Sequence, residues 1–243
     1  NDLEEVKRLV QAHPNEIAAI IIEPVGGNMG CILPMTGFLK GLRELCSLHG
    51  IVFIFDEVMT GFRLARGGAQ ELFKIDADLV TLGKIIGGGL PVGAFGGKKE
   101  IMEKIAPLGN VYQAGTLSGN PIAMTAGYTL LKELNSNPSI YIALDKKCRT
   151  LCESIHQILV KKNIHHTINQ LGSMMSVHFG AHAVTDFESA KACDNTVFNK
   201  FFHHMLAQGV YLPPSPFESW FISVALSDMD IHETVEAVEG FTL

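Results

Sequence analysis

Residues 51–58 read IVFIFDEV. Branched and aromatic apolar residues run unbroken from Ile51 to Phe55 and stop at an acid, Asp56. Such residues favour a strand over a helix, and an unbroken run favours a strand buried on both faces, as in a parallel sheet. Two other stretches have the same form. IAAIIIEPV (17–25) runs past Glu23 into the loop GGNMG, and ADLVTLGK (77–84) ends on a lysine, Lys84. PVGAFGG (91–97) reads as a fourth strand, short and rich in glycine.

Between these strands the apolar spacing changes from two to three or four. Leu3, Val6, Leu9 and Val10 predict a helix over 2–12, which His13-Pro14 ends. Phe38, Leu42, Leu45 and Cys46 predict a second over 36–49, closed by Gly50. KKEIMEKIA predicts a helix over 98–106. A longer one runs over about 121–134, with Pro121 in its first turn, where proline is tolerated. Strands joined by such crossovers define an α/β domain with a mostly parallel sheet.

NSNPS (135–139) marks a boundary between a larger α/β part, 1–135, and a smaller α+β part, 136–243. The second part reads as a helix over about 140–161, a strand near 172–179 and a helix over about 188–207. A proline-rich turn and strand follow within 209–226, then a closing helix from about Asp230. The parallel sheet has few strands to cover it, so a further N-terminal portion is expected, on the order of 190 residues for a typical two-domain protein.

Composition narrows the function. The chain has 243 residues, 47% of them hydrophobic, and a formal net charge of −6. Net negative charge argues against broad binding to nucleic acid or to an anionic membrane. No apolar stretch approaches the roughly 20 residues of a membrane span. The five cysteines, with no CxxC, suit a reducing, cytoplasmic compartment. Cys148 and Cys152, one helical turn apart, read as core residues. The adjacent histidines His165–His166 and His203–His204 diverge on any regular element, and there is no HExxH, so no metal site is expected.

Three strand ends carry the chemistry: Glu23 to Asn28, Asp56 to Val58, and Lys84. Parallel strands lie about 4.8 Å apart, so neighbouring ends fit under one small molecule. In open α/β sheets the ligand lies beyond the carboxyl ends of the strands. Asp56 and Lys84 have two readings. They form an ion pair, which barely repays its desolvation, or both face a bound molecule. On the second reading the lysine amine condenses with an aldehyde and the acid holds a pyridine nitrogen protonated, the pairing that pyridoxal phosphate requires. Gly87-Gly88-Gly89 would then allow close backbone approach. They match neither GxGxxG nor GxxxxGK[ST]. GTLSGNP (115–121) offers Thr116, Ser118 and glycine N–H groups just before a helix, which suits a phosphate.

The motifs IIIEPVGGNMG, IFDEVMTGFR, TLGKIIGGGLPVGAFGG and YQAGTLSGNPIAMTAG, in this order, resemble the class III aminotransferases, pyridoxal-phosphate enzymes of fold type I. The GGNMG, DEVMTGFR and AGTLSGNP variants resemble the branch that moves an amine within one molecule, an aminomutase of tetrapyrrole biosynthesis. The resemblance implies pyridoxal and pyridoxamine 5'-phosphate as cofactor, a small amino aldehyde as substrate, and a homodimer. It implies that Lys84 binds the cofactor aldehyde and shuttles protons, and that Asp56 bonds the pyridine nitrogen. Val58 would pack on the ring and Asn28 would lie near its phenolic oxygen. Gly115 and Thr116 would reach the phosphate in the neighbouring subunit, and Glu218, in PFESWF, would lie close to the substrate. The family's serine–glycine phosphate loop, ring-stacking aromatic and gating segment fall ahead of residue 1. Two other readings are an ordinary class III omega-aminotransferase and a non-catalytic fragment that keeps the fold.

Overall fold

A computed structural model describes all residues, 1–243. The chain divides into two compact units. The first comprises Asn1–Pro24 and Met35–Pro138, and the second Val25–Pro34 and Ser139–Leu243. The second unit thus includes a segment, Val25–Pro34, from within the first 135 residues. No helix is long and apolar enough to cross a membrane.

The first unit is built on a four-stranded sheet. Its strands are β1 (Ala19–Ile22), β2 (Val52–Glu57), β3 (Leu79–Leu82) and β4 (Ala94–Gly97), side by side in that order. β1, β2 and β3 are parallel, and β4 runs antiparallel to β3. Helices α1 (Leu3–Ala12) and α2 (Phe38–His49) lie on one face. Asp2 caps α1 by accepting from the Glu5 N–H at 2.9 Å, and Gly50 ends α2 in the left-handed region at φ 67°. Val10, Leu39, Leu42 and Cys46 pack with Phe53 and Phe55 into the core of this unit.

β2 alternates between buried and half-buried residues, and Ile21 on β1 is 61% exposed. α1 and α2 cover the side carrying Phe53 and Phe55. Val52, Ile54 and Asp56 share the other face. The helix expected over 98–106 is shorter, α4 (Lys99–Met102), preceded by α3 (Gly68–Phe73) and followed by α5 (Pro121–Ser136). Asn120 caps α5 by accepting from the Ile122 and Ala123 N–H groups, and Pro121 occupies its first turn.

In the second unit α6 (Ser139–Lys161), α8 (Asn195–Ala207) and α9 (Asp228–Gly240) accompany an antiparallel sheet of β5 (His166–Leu171), β6 (Met174–Phe179) and β7 (Trp220–Phe221). Ile155, Leu159, Met175, Phe179, Phe201 and Phe241 form its core. The helix expected over 188–207 is broken into α7 (Phe187–Lys191) and α8. Asp194 interrupts it by accepting from the N–H groups of Thr196 and Val197, so a new helix starts there. β5 emerges only in the structure, because HHTINQL lacks the apolar run that marks a strand. All five cysteines are free. Burial pushes the Cys31 thiol up to about 12, and Cys152 beside it adds to that effect.

Candidate active site

The strand tips of the first unit hold three of the expected residues. β2 and β3 pair in a register that sets Asp56 opposite Thr81. Both are half-buried. Thr81 Oγ1 donates to Asp56 Oδ1 at 3.1 Å, and the Val58 N–H donates to the same oxygen at 3.1 Å. Oδ2 has no donor within the chain. Val58 turns toward the next strand tip: a Cβ built on Gly83 would lie 3.2 Å from Val58 Cγ1.

Lys84 follows Gly83 at the head of a single 3₁₀ turn, Lys84–Gly87. It is exposed, and its amine makes no ion pair. Its backbone lies in the left-handed region at φ 49°. That conformation crowds a residue with a Cβ and costs roughly 1–3 kcal/mol, so it persists only where the surroundings impose it. Here Gly83 enters the turn extended, and the Gly88 N–H bonds the Ile85 carbonyl at 3.0 Å to close it. The direct Asp56–Lys84 ion pair is not formed; the lysine that does pair with a buried acid is Lys98.

That buried acid, Asp78, anchors the sheet behind the site. It is 5% exposed, accepts from the Phe53 N–H at 2.7 Å, and pairs with Arg43 at 2.8 Å and Lys98 at 2.6 Å. Burial alone would push its carboxyl up, but the bonds from Lys98, Phe53 and Arg43 prevail and hold it below the usual carboxylate range.

Glu57, next to Asp56, points the opposite way and is 1% exposed. It accepts from Thr60 Oγ1 at 3.1 Å, from the Ala69 N–H at 2.6 Å and from the Gln70 N–H at 3.2 Å. It thereby binds the free N–H groups at the start of α3 and folds the loop MTGFRLARG back onto the strand. Within that loop Arg63 Nε donates to the Met59 carbonyl at 2.8 Å, and burial lowers its guanidinium to about 10.

The other expected residues lie elsewhere. Asn28 is exposed in a 3₁₀ turn, Gly27–Met29, of the second unit. That turn is tied down at both ends. Ser219 Oγ donates to the Gly27 carbonyl at 2.9 Å and His178 Nε2 bonds the Gly30 carbonyl at 2.8 Å. Glu218 precedes Ser219, so one hydrogen bond joins the neighbours of Asn28 and Glu218. Gly115 and Thr116 lie in an exposed loop ahead of α5; no hydrogen bond joins them to Asp56 or Lys84. Thr81, Glu57 and Asp78 carry no mark in the sequence. Thr81 could have been found only from the register that places it opposite Asp56, and Asp78 only from its pairing with Arg43, which lies on α2 beyond the whole of β2 and α3.

The strand tips of the first unit thus carry an acid with one carboxylate oxygen secured, an amine without an ion pair on a glycine-flanked turn, and a valine between them in sequence. The class-III aminotransferase family model matches residues 1–239, and the chain belongs to that family. A protein named glutamate-1-semialdehyde 2,1-aminomutase, from Flavobacterium psychrophilum, is 58% identical over 239 residues, 98% of this chain and 56% of that protein. An omega-transaminase from Sphaerobacter thermophilus superposes with a TM-score of 0.90 at 28% identity, over 98% of this chain and 54% of its own. A transaminase described with PLP bound superposes with a TM-score of 0.85 at 26% identity, over 98% of this chain and 55% of its own. The chain thus spans about half the length of the relatives it matches. Its fold is that of the PLP-dependent transaminases, α/β with a mostly parallel sheet.

Proposed function

We propose that the protein carrying this chain is a pyridoxal-phosphate-dependent aminomutase that converts glutamate-1-semialdehyde to 5-aminolevulinate, the precursor of tetrapyrroles. The observation that carries the reading is the state of the two strand tips. Asp56 is braced on one oxygen only, and Lys84 is presented in a strained turn with its amine unpaired. The 58% identity to a relative of that name supports the substrate.

The residues present fit the cofactor's chemistry. Pyridoxal phosphate, when bound, supplies an aldehyde for an amine and a protonated pyridine ring that withdraws electrons. Lys84 would hold it through the amine and move a proton between the two substrate carbons. Asp56 would keep the pyridine nitrogen protonated, and Val58 would pack on the ring. Asn28 would lie at the phenolic oxygen and Glu218 near the substrate.

The active unit is a homodimer in which Gly115 and Thr116 reach the phosphate of the neighbouring subunit. Exposed apolar side chains occur on that loop and on α5: Tyr112 is 83% exposed, Ile122 71%, Tyr128 68% and Leu117 65%. Their burial against a second subunit would suit that arrangement. The cytoplasm is the proposed compartment, and it suits five free cysteines.

Product analysis with a single substrate tests the function. The native protein, loaded with cofactor and given glutamate-1-semialdehyde without any keto acid, should form 5-aminolevulinate. Turnover that requires a separate keto acid would make it an ordinary omega-aminotransferase instead.

A further inference from the structure

We propose that Thr81 is a positioning residue for Asp56: its hydroxyl holds one carboxylate oxygen, so that the other is the oxygen available to the pyridine nitrogen. The inference rests on the cofactor reading above and deepens it.

Carboxylate torsions are broad and roughly two-fold, so an aspartate at a strand tip does not by itself choose which oxygen it presents. Here two donors choose. The Thr81 hydroxyl and the Val58 N–H both point to Oδ1, each at 3.1 Å, and none points to Oδ2. Threonine suits this task better than serine, because its branched Cβ restricts χ1 within a strand and so aims the hydroxyl. The β2–β3 register fixes the distance, since Asp56 and Thr81 are direct partners on parallel strands. Thr81 is on β3 and Lys84 heads the turn that follows it, three residues on, so the brace of the acid and the amine proposed for the cofactor lie on one short stretch of chain.

The test uses the native protein titrated with pyridoxal phosphate. Thr81→Val keeps the branched shape and removes the donor; Thr81→Ser keeps the donor and removes the branch. The Val variant should bind the cofactor about tenfold more weakly, the worth of one hydrogen bond to a charged group. The pH midpoint of the visible cofactor band should rise, because a less firmly protonated ring would draw less charge from the Lys84 nitrogen. The Ser variant should recover most of both. The melting temperature of the cofactor-free protein should change little. Wild-type affinity and midpoint in the Val variant, or a Ser variant no better than Val, would overturn the inference. Lys84→Ala is run beside them. If it loses the visible band while Thr81→Val behaves as wild type, only the role of Thr81 fails; if it keeps the band, the cofactor reading fails with it.

Discussion

Gly88 has no room for a side chain against Ala126. A Cβ at Gly88 would come within 2.5 Å of the Ala126 carbonyl oxygen on α5, and one at Gly127 would come within 2.1 Å of the Ile86 carbonyl oxygen. Two glycines thus let the turn that carries Lys84 lie backbone against backbone on α5. The strain at Lys84 is held by that contact, since the turn cannot relax outward without leaving the helix.

Gly88→Ala should therefore disturb both stability and site. Gly88 has φ +59°, and its missing Cβ faces backbone rather than a yielding side chain. Overpacking and the left-handed conformation together should cost about 2–4 kcal/mol. Thermal denaturation should show a drop of several degrees, and cofactor affinity should fall with it. Gly89→Ala is the control. It too has positive φ, but nothing lies within 4 Å of its Cβ, so it should lose only the backbone part.

Asp78→Ala should be among the most damaging changes in the first unit. It strands the Arg43 guanidinium and the Phe53 N–H. Removing one partner of a buried charge network costs about 3–5 kcal/mol. The native carboxyl is held below its ordinary range, so its contribution is complete above the unfolded value near 3.9 and is lost as pH falls below it. Urea midpoints measured from pH 6 down to pH 3 should fall less steeply in the variant than in the wild type.

A histidine should set the acid sensitivity of the second unit at milder pH. His178 is 3% exposed and bonds the Gly30 carbonyl. Burial lowers its proton affinity, and the Gly30 bond only partly restores it. The unfolded chain takes up a proton near pH 6.5 that the folded unit refuses. Stability should thus be full above that pH and decline below it, through the folded value. Thermal midpoints between pH 7.5 and 5.5 should fall less in His178→Gln, which keeps a donor for Gly30 and cannot charge.

The architecture was largely legible, and for identifiable reasons. The runs at 51–58 and 77–84 have a composition that favours strands, and Gly50 and Pro121 mark helix ends that the structure also has. The acid and the lysine stood out because each closes an apolar run. What stayed hidden depends on distant pairing. Thr81 acquires meaning only from the register of β3 against β2, and Glu57 only from the return of Ala69 and Gln70 to the strand. Val25–Pro34 joins the second unit through Ser219 and His178, contacts spanning 192 and 148 residues that no local pattern announces.

The central claim is that Lys84 is the amine that carries the cofactor. Borohydride reduction of the pyridoxal-phosphate-loaded native protein, followed by peptide mass analysis, reads it directly. The account predicts a single stable pyridoxyl adduct on the peptide containing Lys84, absent from Lys84→Ala along with the visible band. An adduct on another lysine, or a band that survives in Lys84→Ala, would contradict it.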